Sequence, residues 1–106
     1  MNLTEVHIPN SVGVISDHVF SGCKSLTNIE IPNSVKIILE KAFYNCYNIR
    51  EITIPVSVTQ ISNNAFENMT NLKNVYFEGT EDEWNNVSYD KTTNASLYYA
   101  TKYYNK

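Results

Sequence analysis

The segments SVGVISDHVFSGC (residues 11–23), SVKIILEKAFYNC (34–46) and SVTQISNNAFENM (57–69) repeat one pattern at an offset of 23 residues. Each opens with Ser-Val, carries Ile three residues after the Val, and places Phe five beyond that Ile. A fixed offset means that one architectural unit is used repeatedly, which restricts the fold more than any other feature of the chain. The second unit shows the apolar positions in full: Leu26, Ile29, Ile31, Pro32, Val35, Ile38, Ala42, Phe43 and Cys46. The first runs likewise from Leu3 to Cys23 and the third from Ile49 to Met69. A fourth begins at Leu72, Val75 and Phe77, then breaks where Glu78 replaces the proline.

The period changes within a unit. The triplets VHI, IEI, ITI and VYF alternate inward, outward, inward, the mark of a short strand. Pro9, Pro32 and Pro55 each remove a ladder donor and end that strand. The following Val and Ile predict a compact turn or a second short extended piece. The segments around Ala42-Phe43 and its equivalents are too short for independent helices and fit one helical or 3₁₀ turn on the opposite side. Each unit is therefore one coil, which cannot bury its apolar side alone. Stacked coils align Leu3, Leu26, Ile49 and Leu72 in one ladder and Phe20, Phe43 and Phe66 in another. The strands then form a parallel sheet with neighbours about 4.8 Å apart.

The unit LTNIEIPNSVKIILEKAFYNC (26–46) resembles the leucine-rich repeats of the BspA-like class, the Treponema pallidum type, through the pattern LxxIxIPxSVxxIxxxAFxxC. The segment VYFEGTEDEWNNV (75–87) resembles the ending that follows such repeats in bacterial proteins. The resemblance covers about residues 3–90 and implies a leucine-rich-repeat solenoid of α/β type. The expected division is 1–77 for the repeats (3–25, 26–48, 49–71 and a partial 72–77) and 78–106 for a C-terminal capping segment. Two positions depart from the pattern. Leu39 stands where the other coils have Ser16 and Ser62, and Met69 where they have cysteine.

With 106 residues the chain suffices for one small domain, and 42% hydrophobic with 18% charged residues is an ordinary globular composition. Net charge is −3, and the eight Lys and Arg residues form no basic stripe. Nucleic acid and acidic membrane surfaces are thus not expected partners. No run of 18 apolar residues occurs, so no membrane insertion is expected. The start, MNLTEVHIPN, lacks the basic and apolar regions of a signal peptide. That leaves open a cytosolic protein or a mature piece of an exported one. The resemblance implies a cell-surface or secreted setting.

Cys23 and Cys46 share one slot, which Met69 fills in the third coil, so reduced, buried core thiols are expected. Asparagine crowds the turns, where it tolerates left-handed backbone and caps its own turn. Its abundance also creates sequons at Asn2, Asn68, Asn86 and Asn94.

No constellation for catalysis stands out, and no enzyme, cofactor or metal is expected. His7 and His18 are read as surface residues, and Ser11, Ser34 and Ser57 as turn residues without a paired base. Glu78, Glu81, Asp82 and Glu83 lack calcium-loop spacing. Thr80 and Glu83 instead fit a capping box.

At the C-terminal end Trp84, Val87, Tyr89, Leu97, Tyr98 and Tyr99 can cover the last coil, with Trp84 as its plug, and SLYYATKYYN can add a strand. At the N-terminal end no preceding cap is evident. Leu3, Val6 and Val12 would lie on an open apolar end that awaits earlier repeats or another copy.

The outward strand positions align rung by rung: Glu5 and His7, Asn28 and Glu30, Glu51 and Thr53, Asn74 and Tyr76. On a rigid scaffold this face is where an unknown protein or surface ligand would bind. The resemblance points the same way, since BspA-like repeats occur in surface proteins of adhesion and protein binding. The alternative is a spacer or end cap of a longer solenoid, self-associating through its N-terminal coil.

Overall fold

The computed structural model describes residues 6–106. Two parallel sheets form the body. One has the strand order β2 (Asn28–Glu30), β4 (Glu51–Ile54), β6 (Asn74–Phe77) and β7 (Thr101–Tyr103). The other is β1 (Val14–Ile15), β3 (Ile37–Ile38) and β5 (Gln60–Ile61). The second Val/Ile piece of each coil is thus a short strand. The register keeps the sequence offset: Ile29 faces Ile52, which faces Val75, and Ile15 faces Ile38, which faces Ile61. In the first coil the expected Val6–Ile8 strand is reduced to a single bridge between His7 and Glu30.

Both inward rows are buried, as alternation requires. On the third side Phe20, Phe43 and Phe66 stack with ring centroids 5.5 and 5.2 Å apart. Phe43 and Phe66 are fully buried, whereas Phe20, at the start of the stack, is only partly so. The segments carrying them are hydrogen-bonded turns, such as Ala42 N–H to Leu39 C=O and Cys46 N–H to Phe43 C=O. They do not run on into a helix, because His18, Lys41 and Asn64, then Gly22, Asn45 and Asn68, take left-handed φ of 57–74°. Backbone bonds join the turns of successive coils, as from Phe20 N–H to Ala42 C=O and from Phe43 N–H to Ala65 C=O.

The asparagines do more than cap their own turns. Asn48 Nδ2 donates to Lys24 C=O, Asn71 Nδ2 to Tyr47 C=O at 2.7 Å, and Asn68 Nδ2 to Asn45 Oδ1 at 3.1 Å. Each bond links a coil to its predecessor, because stacking at a constant offset brings equivalent turns within reach. Of the aligned serines, Ser57 donates to Val35 C=O at 2.6 Å, while the buried hydroxyl of Ser34 has no partner. Leu39, the odd member of its column, is half-buried. Cys23 and Cys46 are free and buried, and burial pushes the Cys46 thiol up to about 12.

The C-terminal segment continues the contacts of the coils with a sequence that departs from the 23-residue pattern. Ser88 extends the β1-β3-β5 sheet: its N–H donates to Thr59 C=O, and its C=O accepts from Ile61 N–H. The side chain of Asn94, fully buried, serves the turn side. Its Oδ1 accepts from Phe66 N–H at 2.9 Å, and its Nδ2 donates to Ser62 and Asp90 carbonyls. Ser96 Oγ accepts from Met69 N–H. β7 closes the other sheet.

Two short helices lie in this segment. α1 (Glu81–Asn85) starts at the expected capping box, Thr80 with Glu83. It sets Trp84 edge-on to Phe77 at 5.2 Å and buries it as a plug. The turn into α1 needs Gly79, where a Cβ would lie 2.8–2.9 Å from Glu83, Phe77 and Val56. α2 (Ala95–Tyr99) precedes β7. Lys102, at the inward position of β7, donates its ammonium to the carbonyls of Leu97, Tyr98 and Ala100, which satisfies the end of α2. Burial lowers its pKa to about 8.

Candidate functional site

The outward strand positions form two straight rows. Asn28, Glu51 and Asn74 face one another in register, as do Glu30, Thr53 and Tyr76, and the bridge at Glu30 places His7 at the head of the second row. Glu5 and Leu3 lie outside the described residues. Parallel pairing holds side chains of one row about 4.8 Å apart, so neighbouring rungs interact. Tyr76 donates its hydroxyl to Glu51 Oε2 at 2.8 Å, and this bond raises the tyrosine pKa. Asn74 Nδ2 reaches the same oxygen at 3.5 Å.

β7 lengthens both rows by one rung. Thr101 pairs with Asn74, and Tyr103 with Tyr76, whose rings stack at 5.2 Å. The aromatic end of the face is therefore a pair of tyrosines on the sheet's edge. Sequence reasoning named the strand but not its face residues, because the offset changes here from 23 to 27 residues and Lys102 takes the apolar inward position.

At the other end of the second row lies a groove of about 550 Å³ whose lining includes His7, Asn10, Asn28, Glu30, Asn33 and Glu78. Among the described residues no Lys or Arg lines it. It sits where the strands end, near Pro32.

The remaining candidates disperse. His7 and His18 are both exposed. Among the described residues no group of three or more His, Cys, Asp or Glu side chains is placed to hold a metal ion. Glu81, Asp82 and Glu83 occupy the first turn of α1, where negative charge complements the helix dipole. Asn94 is sealed in the core, so its sequon is unavailable to a glycan in the folded chain, whereas Asn68 and Asn86 are exposed. Val6 and Val12 do lie together at the N-terminal end, in an apolar hollow of about 330 Å³ with Ile8, Val14, Val19 and Phe20.

A family model described as a BspA-type leucine-rich repeat region of six copies matches residues 1–103. The chain belongs to the BspA-type leucine-rich repeat family. Members of such repeat families are in general protein-interaction modules on typically non-enzymatic scaffolds. A leucine-rich cell surface protein from Faecalibacterium prausnitzii matches with 38% identity and a TM-score of 0.80, over 83% of this chain and 23% of that one. The leucine-rich repeat protein of T. pallidum matches with 26% identity and a TM-score of 0.64, over 95% of this chain and 51% of that one. Both similar structures are thus considerably longer than the part this chain matches. Among curated proteins nothing matches it. No helix among the described residues is long and apolar enough to cross a membrane.

Proposed function

We propose that this BspA-type repeat module is a non-enzymatic binding unit of adhesion type that engages a protein partner through its strand face. The residues concerned are His7, Asn28, Glu30, Glu51, Thr53, Asn74 and Tyr76, with Glu5 beyond the described residues, and Thr101 and Tyr103 added by β7. The observation that carries this reading is the pair of straight polar rows, ending in stacked tyrosines, on a backbone fixed by ladders on three sides. Rigid elements present such side chains at little ordering cost. A cell-surface or secreted setting fits the printed description of the F. prausnitzii neighbour as a cell surface protein. The division into repeats 1–77 and a cap 78–106 belongs to the same proposal. The test is capture of partner proteins from extract and medium of the source cells by the immobilised chain and by E30A/T53A/Y76A. Loss of specific capture by a variant with unchanged circular dichroism supports the reading. Unchanged capture defeats it.

The apolar hollow at the N-terminal end favours a second reading, in which the chain is a spacer or end piece that self-associates through Leu3, Val6 and Val12. The exposed Val14 and Val19 beside it, 41% and 42% accessible, support this. Light scattering over a concentration series decides it. A dimer abolished by Val12→Asp supports self-association, and a monomer at all concentrations removes it.

A further inference from the structure

The turns that stack the phenylalanines also align the two thiols. Phe20 N–H donates to Ala42 C=O and Gly22 N–H to Tyr44 C=O, and the next two coils repeat this from Phe43 to Ala65 and from Asn45 to Glu67. Such a parallel ladder sets each turn residue beside the one 23 positions later, so Cys23 faces Cys46. The rings of Phe20 and Phe43 in the same turns are 5.5 Å apart. Coils at that spacing fall within the Cα separation of about 4.4–6.8 Å that a disulfide bridges. A hydrogen bond narrows the placement further. Cys46 Sγ donates to Phe20 C=O at 3.1 Å, and the same carbonyl accepts from Cys23 N–H at 3.2 Å. The Cys46 sulfur therefore leans out of its own coil toward the backbone of Cys23. Burial first, and then the Cys23 sulfur, raises the Cys46 pKa, which agrees with that proximity. Both thiols are buried and free, and the chain has no third cysteine to compete.

We infer that Cys23 and Cys46 are a disulfide site, closed between the first and second coils when the chain folds in the presence of a low-molecular-weight disulfide such as oxidised glutathione. The Cys23 thiolate attacks one sulfur of the oxidant, forms a mixed disulfide and releases one glutathione thiolate. The Cys46 thiolate then attacks the Cys23 sulfur, forms the bond between the coils and releases the second glutathione thiolate. Two cysteines are oxidised, one glutathione disulfide is reduced, and the two thiol protons pass to the released glutathiones. Both steps belong to the folding chain, in which the thiols are not yet buried. The closed coils then shield the bond, just as burial makes the free thiols of the folded chain unreactive. Closure gives up the S–H donor of Cys46, but Phe20 C=O keeps Cys23 N–H, so no buried acceptor is orphaned. The bond ties down the coil whose Val6–Ile8 segment is held by a single bridge. It suits the cell-surface or secreted setting proposed above, where disulfides persist. The inference does not depend on the strand face being a binding surface.

The test is the equilibrium of the full chain with mixtures of oxidised and reduced glutathione, reached by refolding in native buffer and, separately, in about 8 M urea. Acid quenching, alkylation of free thiols and intact mass distinguish the internal disulfide from mixed disulfides and linked dimers. By linkage, the preference for closing in the folded chain over the unfolded one equals the factor by which the bond stabilises the fold. That factor should be at least about 100. The oxidised monomer should keep the circular dichroism of the reduced chain. Amide exchange at His18, Phe20 and Gly22, which donate to the second coil, should slow at least about tenfold on oxidation. In C46S, which cannot close, the same oxidant should leave these amides unprotected by any such factor. A folded-to-unfolded preference near one or below it overturns the inference. So do oxidation that yields only mixed disulfides or dimers, an oxidised monomer that has lost the folded spectrum, and unchanged exchange at all three amides.

Discussion

The first and third coils differ in what the described residues set against their turns. Turn N–H groups point toward the next coil, as Phe20 N–H does to Ala42 C=O. The third coil therefore ends on donors, and in a buried setting an orphaned donor is costly. Asn94, Ser96 and Ser88 supply what the rest of the fourth coil would have supplied, β7 pairs with that coil's strand β6, and Trp84 and Leu97 are buried beside them. At the first coil the same polarity turns carbonyls away from the other described coils, beside a partly covered Phe20. A sequence that departs from the repeat pattern can thus continue the stack if it reproduces the backbone partners.

The comparison can be broken most forcefully at the phenylalanine stack. Phe43→Ala removes a fully buried ring with a neighbour on each side and should cost about 3–5 kcal/mol. Phe20→Ala, which removes a ring only partly covered by the described residues, should cost about half as much, which urea unfolding of both variants would measure. Equal losses would mean that the first coil is as well covered as the second.

Asn94→Ala should cost about 2–3 kcal/mol, because Phe66 N–H loses its partner inside the core and Ser62 C=O keeps only Ala65 N–H. Hydrogen exchange at Phe66 should accelerate selectively. Protection as in the parent would show that Asn94 does not replace a coil.

Lys102→Met should cost about 1–2 kcal/mol by stripping the end of α2 of its ammonium. The sign with pH is distinctive. Since the folded pKa lies near 8, below the unfolded value of 10.5, the folded chain releases its proton first. The proton on Lys102, unlike its hydrogen bonds to the three carbonyls, therefore weighs against folding below pH 8, and stability gains as pH rises from 8 toward 10.5. The Cys46 contribution has the opposite sign, because a folded pKa near 12 against 9.0 loses stability as pH rises above 9. The Lys102 gain should thus be seen between pH 8 and 9, and should vanish in Lys102→Met. A flat curve in both proteins would show that the three carbonyls compensate for desolvation.

The smallest expected effect has the opposite direction. Lys41 holds a φ of 57° that its counterpart fills with Asn64. Lys41→Asn should stabilise by about 0.5–1 kcal/mol, visible as a raised midpoint in thermal melts. A lowered midpoint would mean that the Lys41 side chain, whose ammonium lies 5.3 Å from the Tyr44 ring centre, contributes more than the strain costs.

Repetition explains what was legible in the sequence. The strands, their inward and outward rows, the phenylalanine stack and the buried thiols each occur in several copies at one offset, so a pattern met once is checked by the next. The capping box at Thr80 and Glu83 was readable because it is local. What escaped was non-local and occurred once. Asn94 looks like any other asparagine until the fold brings it under Phe66, 28 residues away. Tyr103 joins the face only because β7 returns to β6 at a changed offset, with a lysine where the earlier coils have Ile or Val. The asparagine cross-links needed the coil spacing before they could be drawn.

One measurement bears on the functional claim most directly: partner capture by E30A/T53A/Y76A, read beside its melting curve. These side chains are outward on a sheet held by its buried rows, so folding should survive within a few tenths of a kcal/mol per site while specific capture disappears. Capture equal to that of the parent chain, by a variant that melts as the parent does, would contradict the claim that the strand face is the binding surface.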